Sequence, residues 1–128
     1  MADQLPVFIY GTLLRGEPYH DRLAAVAAEI QDAVMPGAVL HNLGPFPMLR
    51  PGTGRVVGEL VWLHSEVDEM ALAELDTIEG VRRALYHRER RPVLLTGCGP
   101  LLEAWVYVGS EAIAEQYPVI PNGDWRQR

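Results

Sequence analysis

Apolar residues along this chain come in short bursts, and their spacing separates strands from helices. The run VFIY (residues 7–10) is continuous and rich in β-branched and aromatic side chains, which suits a covered strand. PYHDRLAAVAAEI (18–30) is rich in alanine and leucine and carries a proline near its start, so it predicts a helix. AVMPGAVLHNL (33–43) predicts a strand interrupted at Pro36-Gly37, and GPFPMLRPGTG (44–54) a rigid, proline-rich loop with an apolar centre. RVVGELVWL (55–63) alternates as a strand does.

The best-marked helix is SEVDEMALAELDTIEG (65–80). Ser65 can cap it, Glu66, Asp68 and Glu69 suit its positive end, and Gly80 supplies a stop. Val67, Leu75 and Ile78 recur at helical spacing and would face a core. ALYHRERRPVLLTG (84–97) and LLEAWVYVG (101–109) read as two strands joined by the hairpin TGCGP, and SEAIAEQY (110–117) as a short helix. The resulting order, β-α-β-β-α-β-β-α, lacks the regular alternation of a doubly wound parallel sheet. A mixed or antiparallel sheet that can curl into a barrel fits better.

At 128 residues the chain is expected to form a single domain, 1–128, with a real core. Its apolar runs are too short to span a bilayer, and MADQLP lacks the basic-then-apolar order of a secretory leader, so a cytoplasmic protein without membrane contact is expected. A net charge of -6 argues against a nucleic-acid partner. The local exception, VRRALYHRERRP (81–92), reads either as a strand with a solvated charged face or as a positive rim for carboxylate or phosphate ligands.

Composition removes much familiar enzyme chemistry. All eleven lysine-or-arginine positions are arginine, which excludes Schiff bases and lysine-dependent phosphate loops. Ser65 and Ser110 are the only serines, and neither sits in a nucleophile elbow. Cys98 is alone, and His20, His41, His64 and His87 are scattered without metal-ligand spacing, so no metal is expected. Carboxylates remain.

Two places could hold chemistry. In YGTLLRG (10–16), Gly11 and Gly16 permit close backbone approach, so the turn either packs against the core or aims the amides of Thr12 and Leu13 at a carboxylate. In LDTIEG (75–80), Glu79 stands at the predicted helix C-terminus, where the dipole and nearby Asp76 both disfavour its charged form. It is either a solvated surface acid or a group suited to general acid-base work.

Taken together, VFIYGTLLRGEPYH, LDTIEG, LYHRE, AWVYV and GDW, in that order, resemble the γ-glutamylcyclotransferase-like family. The similarity runs over most of the chain and is greatest to the AIG2-like and γ-glutamylamine cyclotransferase branch. It implies an α+β fold: a small mixed β-barrel flanked by helices, with one ligand cavity at its mouth. It further implies that Tyr10, Gly11, Thr12 and Leu13 hold the α-carboxylate of a γ-glutamyl group through backbone amides. Glu79 falls on the catalytic glutamate, Tyr86 on a cavity-lining tyrosine and Arg88 on the arginine that follows. Phe46, Pro47 and Met48 fall on the segment covering the substrate.

The implied activity is release of 5-oxoproline from a small-molecule γ-glutamyl amide, without cofactor or metal. The alternative is a non-catalytic binding or regulatory module of the same fold, against which retention of Glu79 argues. Val81, Arg82 and Arg83 depart from the family pattern after the glutamate and leave the departing amine unassigned. The oligomeric state is not legible in the sequence.

Overall fold

A computed structural model describes residues 5–64, 86–95 and 101–128. Five strands close into a barrel in the order β1-β3-β2-β4-β5. They are β1 (Val7–Ile9), β2 (Ala27–Asn42), β3 (Pro47–Leu63), β4 (Tyr86–Leu95) and β5 (Leu101–Gly109). Around them lie α1 (His20–Ala24), α2 (Glu111–Ala114) and a 3-10 turn at Trp125–Gln127. The sheet is mixed, because β1 runs antiparallel to β3 and parallel to β5. The expected small mixed barrel is the observed fold.

β1 is short but fully covered, with Phe8 facing Leu60 of β3 and Val106 of β5. β4 and β5 form an antiparallel pair from Tyr86↔Gly109 to Leu94↔Leu101. The barrel closes where Ala33 and Val34 of β2 meet Leu95 and Leu94 of β4. Phe8, Met35, Leu40, Leu49, Val56, Leu60, Val93 and Val106 are among the core residues.

Two sequence expectations are corrected. The helix expected over 18–30 stops at Ala24, and the chain enters β2 at Ala27. Alanine-rich propensity loses here to tertiary pairing, because Ala27 and Ile30 find Leu63 and Val61 on the long strand β3. The loop expected over 44–54 is mostly strand, since β3 already begins at Pro47. Its prolines sit where a sheet tolerates a missing amide hydrogen. Pro47 opens the strand, while Pro51 borders the register shift at which Gly37 (φ 72°) faces the extra residues of β3. The tight connection itself is residues 43–46, closed by Leu43 N donating to Phe46 O at 3.1 Å and by Gly44 at φ 102°.

The C-terminal segment straps the outside of the barrel. Asn42 N donates to Pro118 O, Ile120 N to Leu40 O, and Val57 N to Gly123 O, each at 2.8 Å. Trp125 is buried at its end, and its indole donates to Glu17 Oε1 at 3.0 Å. No helix among the described residues is long and apolar enough to cross a membrane. The expected helix over 65–80 and the turn TGCGP with Cys98 lie outside the described residues.

Candidate active site

The exit of β1 is a turn whose backbone bonds can be followed group by group. Gly11 O accepts from Leu14 N at 3.0 Å, Thr12 O from Tyr19 N at 2.9 Å, and Leu14 O from Glu17 N at 2.9 Å. Leu13 O lies 3.0 Å from His20 Nδ1, a contact that needs the hydrogen on that ring nitrogen. Arg15 N donates to Glu59 Oε1 at 3.2 Å. In a turn closed between its first and fourth residues, the two central amides are left out of the ring. Among the described residues nothing accepts from the amides of Thr12 and Leu13. Two adjacent donors therefore stand on a backbone whose carbonyls are already committed, an arrangement suited to binding an anion.

Apolar walls surround this turn. Gly11 is buried against Pro47, so closely that a Cβ at position 11 would lie 2.8 Å from the proline Cδ and Cγ. Tyr86, the first residue of β4, donates its hydroxyl to Pro47 O at 2.6 Å. Its ring lies 6.3 Å from that of Phe46, tilted by 56°. The Tyr10 hydroxyl donates to Tyr107 O. Gly109, opposite Tyr86 in the sheet, leaves room for Met48, which a Cβ there would meet at 2.7 Å.

Gly11, Pro47 and Tyr86 are thus buried in one chain of contacts, while Tyr10 and Leu13 are buried and Thr12 half-buried next to Gly11 along the chain. The ends that meet here are the exits of β1 and β5 and the starts of β3 and β4. Dry walls of this kind raise the worth of each hydrogen bond an amide makes to a ligand.

Glu79, expected as the catalytic acid and base, lies outside the described residues, as do Val81, Arg82 and Arg83. Three structural partners were not anticipated: Tyr107, Gly109 and Glu59. The first two are invisible locally because their partners, Tyr10 for Tyr107 and Met48 for Gly109, lie on distant strands or turns. Glu59 carried a signal, a charged residue inside the apolar stretch VVGELVWL. It is completely buried.

The described part of the arginine-rich segment, from Tyr86 onward, behaves largely as a charged strand face. Arg91 pairs with Glu89 at 2.9 Å and Arg90 with Glu103 at 3.8 Å. Arg88 and Arg90 lie over the Trp105 ring at 4.6 and 5.2 Å. Burial raises the proton affinity of Glu89, but His87 and Arg91 together outweigh it and hold the carboxyl below its usual range. The hydrogen bond that Arg15 donates to Glu59, against the cost of burial, holds the Arg15 guanidinium above its ordinary value. Among the described residues no group of three or more His, Cys, Asp or Glu side chains could hold a metal ion.

Comparison with known proteins matches residues 7–127 to the family "Gamma-glutamyl cyclotransferase, AIG2-like". A Vibrio cholerae protein, named only provisionally as a γ-glutamylcyclotransferase, is 38% identical over 122 residues, covering 95% of this chain and 96% of its own. The γ-glutamylaminecyclotransferase of Bos taurus is 37% identical over 115 residues, covering 80% of this chain and 64% of that protein. Among solved structures, an AIG2-like protein from Mus musculus superposes with a TM-score of 0.75 at 25% identity, over 91% of this chain and 85% of that one.

Proposed function

Since this chain belongs to the AIG2-like γ-glutamylcyclotransferase family, we propose that it is a cyclotransferase that releases 5-oxoproline from a small γ-glutamyl amide. The observation that carries this reading is the turn at the exit of β1, where the Thr12 and Leu13 amides have no acceptor among the described residues. An α-carboxylate seated on those amides gains charge-assisted hydrogen bonds, and the glutamyl chain then lies against Tyr10, Pro47 and Tyr86.

In the proposed reaction the substrate supplies its own nucleophile. The α-amine attacks the γ-carbonyl carbon, a new C–N bond closes the five-membered lactam, and the C–N bond to the departing amine breaks. The attack is intramolecular, so holding the glutamyl chain curled supplies much of the acceleration. The α-ammonium nitrogen loses two protons on becoming the lactam N–H. The first goes to solvent before attack, the second must be taken up as the ring closes, and one must then reach the departing amine. Glu79 is the proposed carrier in the last two steps, first as base and then as acid. Donors near the γ-carbonyl would stabilise the oxyanion that forms there. The products are 5-oxoproline and a free amine, and the sequence calls for no cofactor or metal.

The direct experiment incubates the purified protein with a panel of γ-glutamyl amides and measures 5-oxoproline by chromatography. Release from at least one member is expected. No release from any of them, by a folded protein that still binds 5-oxoproline, would favour the non-catalytic binding module instead.

A further inference from the structure

Glu59 is the one fully buried charged side chain among the described residues. It sits in β3 between Ile9 of β1 and Asp32 of β2. Residues directly opposite in a sheet share a face. Arg15 bridges Glu59 and the exposed Asp32, so the two carboxylates lie on one face of the sheet, and the side chains that cover Glu59 there come from outside the strands.

Two arginines close over it. Arg15 Nε donates to Glu59 Oε2 at 2.8 Å, and Arg126 of the C-terminal 3-10 turn approaches the same oxygen at 3.5 Å. The remaining oxygen, Oε1, accepts from the Arg15 backbone amide at 3.2 Å. Arg15 also reaches Asp32 Oδ1 at 2.8 Å, which fixes its guanidinium between two strands.

A buried ion pair is poor ground for stability alone, because apolar side chains of similar volume serve as well or better. The bond that an apolar residue cannot replace is the one to the Arg15 amide. That amide lies two residues beyond Leu13, at the exit of the turn. Gly11 O and Leu14 N close the turn itself, and Tyr19 N and His20 hold its carbonyls from the far side. Among the described hydrogen bonds, Glu59 is the only side chain of the sheet that accepts from a backbone amide at the exit of this turn, since Asp32 reaches the Arg15 guanidinium alone.

We propose that Glu59 is a positioning residue for the carboxylate-binding turn. Through the Arg15 amide and guanidinium it holds the Thr12 and Leu13 amides in the orientation that selects a carboxylate. This rests on the proposed function, and specifically on the turn as the seat of the α-carboxylate. Glu59 touches no substrate; it acts through Arg15.

The test measures calorimetric affinity of the full-length protein for 5-oxoproline and for 5-oxoprolinamide, its neutral carboxamide. The wild type is expected to prefer the acid by at least about tenfold, as the loss of charge-assisted hydrogen bonds implies. Equal affinity in the wild type would overturn the carboxylate seat itself, and the role of Glu59 with it.

Given that preference, Glu59→Gln removes the charge, and Glu59→Asp keeps the charge but withdraws it from the Arg15 amide. In both, the acid-to-amide ratio is expected to fall to within about threefold of unity, while circular dichroism reports a folded barrel. A purely structural role would lower the melting temperature and leave the ratio intact. Either folded variant retaining the full wild-type ratio would overturn the proposal. Glu59→Asp keeps the ion pair's charge and so remains informative where Glu59→Gln does not fold.

Discussion

The hydroxyl of Tyr86 donates to the carbonyl of Pro47 at 2.6 Å and so ties the start of β4 to the start of β3. Pro47 in turn fills the space in front of Gly11, so a contact between two strands sets the position of a wall beside the β1 turn. Removing only this hydroxyl, in Tyr86→Phe, leaves a buried carbonyl without that donor. The expected cost is about 1–2 kcal/mol of stability, a drop of several degrees in melting temperature measured by calorimetry, with weakened binding of 5-oxoproline. An unchanged melting temperature would show that the tie contributes nothing.

Gly11 and Pro47 are expected to be coupled. The structure directs a side chain at position 11 into the proline ring rather than into open space. Gly11→Ala should therefore displace the wall and weaken 5-oxoproline binding by calorimetry. Pro47→Ala, which removes Cδ and Cγ, should relieve the clash and recover part of the loss in the double variant. An interaction energy of about 0.5 kcal/mol or more in the double-mutant cycle is expected. Simple additivity would contradict the contact.

Glu89 makes a prediction about acid. Its folded-state carboxyl is held below the ordinary value by His87 and Arg91, which outweigh its burial. Stability of this origin is present above the unfolded-state value and is lost as pH falls through the folded one. Glu89→Gln should thus lower stability near neutral pH by less than about 1 kcal/mol, since the group is partly solvated. The gap to wild type should close as the solution is acidified below that range. A gap that widens in acid would reverse the assigned sign.

Some of this architecture was legible in the sequence because it is local. The alternation of 55–63 and the apolar bursts of 7–10 and 101–109 mark strands by their own residues, and Glu111–Ala114 is helical as expected. The first half of β2 was not legible. Residues 27–30 have the composition of a helix, and only a partner strand more than thirty positions away makes them extended. Prolines hid the start of β3 in the same way, because their tolerance depends on strand ends and register shifts that no local pattern displays.

The candidate site divides along the same line. The turn 11–14 announces itself through its glycine and flanking apolar residues. The partners that fix it, Pro47 for Gly11 and Glu59 for Arg15, come from a distant strand. Tyr107, which accepts from the Tyr10 hydroxyl, lies 97 positions away. The charge of Glu59 inside VVGELVWL was a visible anomaly, but its meaning depends on two arginines from opposite ends of the chain.

In the proposed reaction Glu79 alone takes up a proton as the substrate cyclises and hands one to the departing amine. The most direct measurement compares the rate of 5-oxoproline release from one γ-glutamyl amide by the wild type and by Glu79→Gln. The variant keeps shape but cannot exchange a proton, so its rate is expected to fall roughly a hundredfold or more, with melting temperature and 5-oxoproline affinity preserved. A Glu79→Gln protein that releases 5-oxoproline at the wild-type rate would contradict the account.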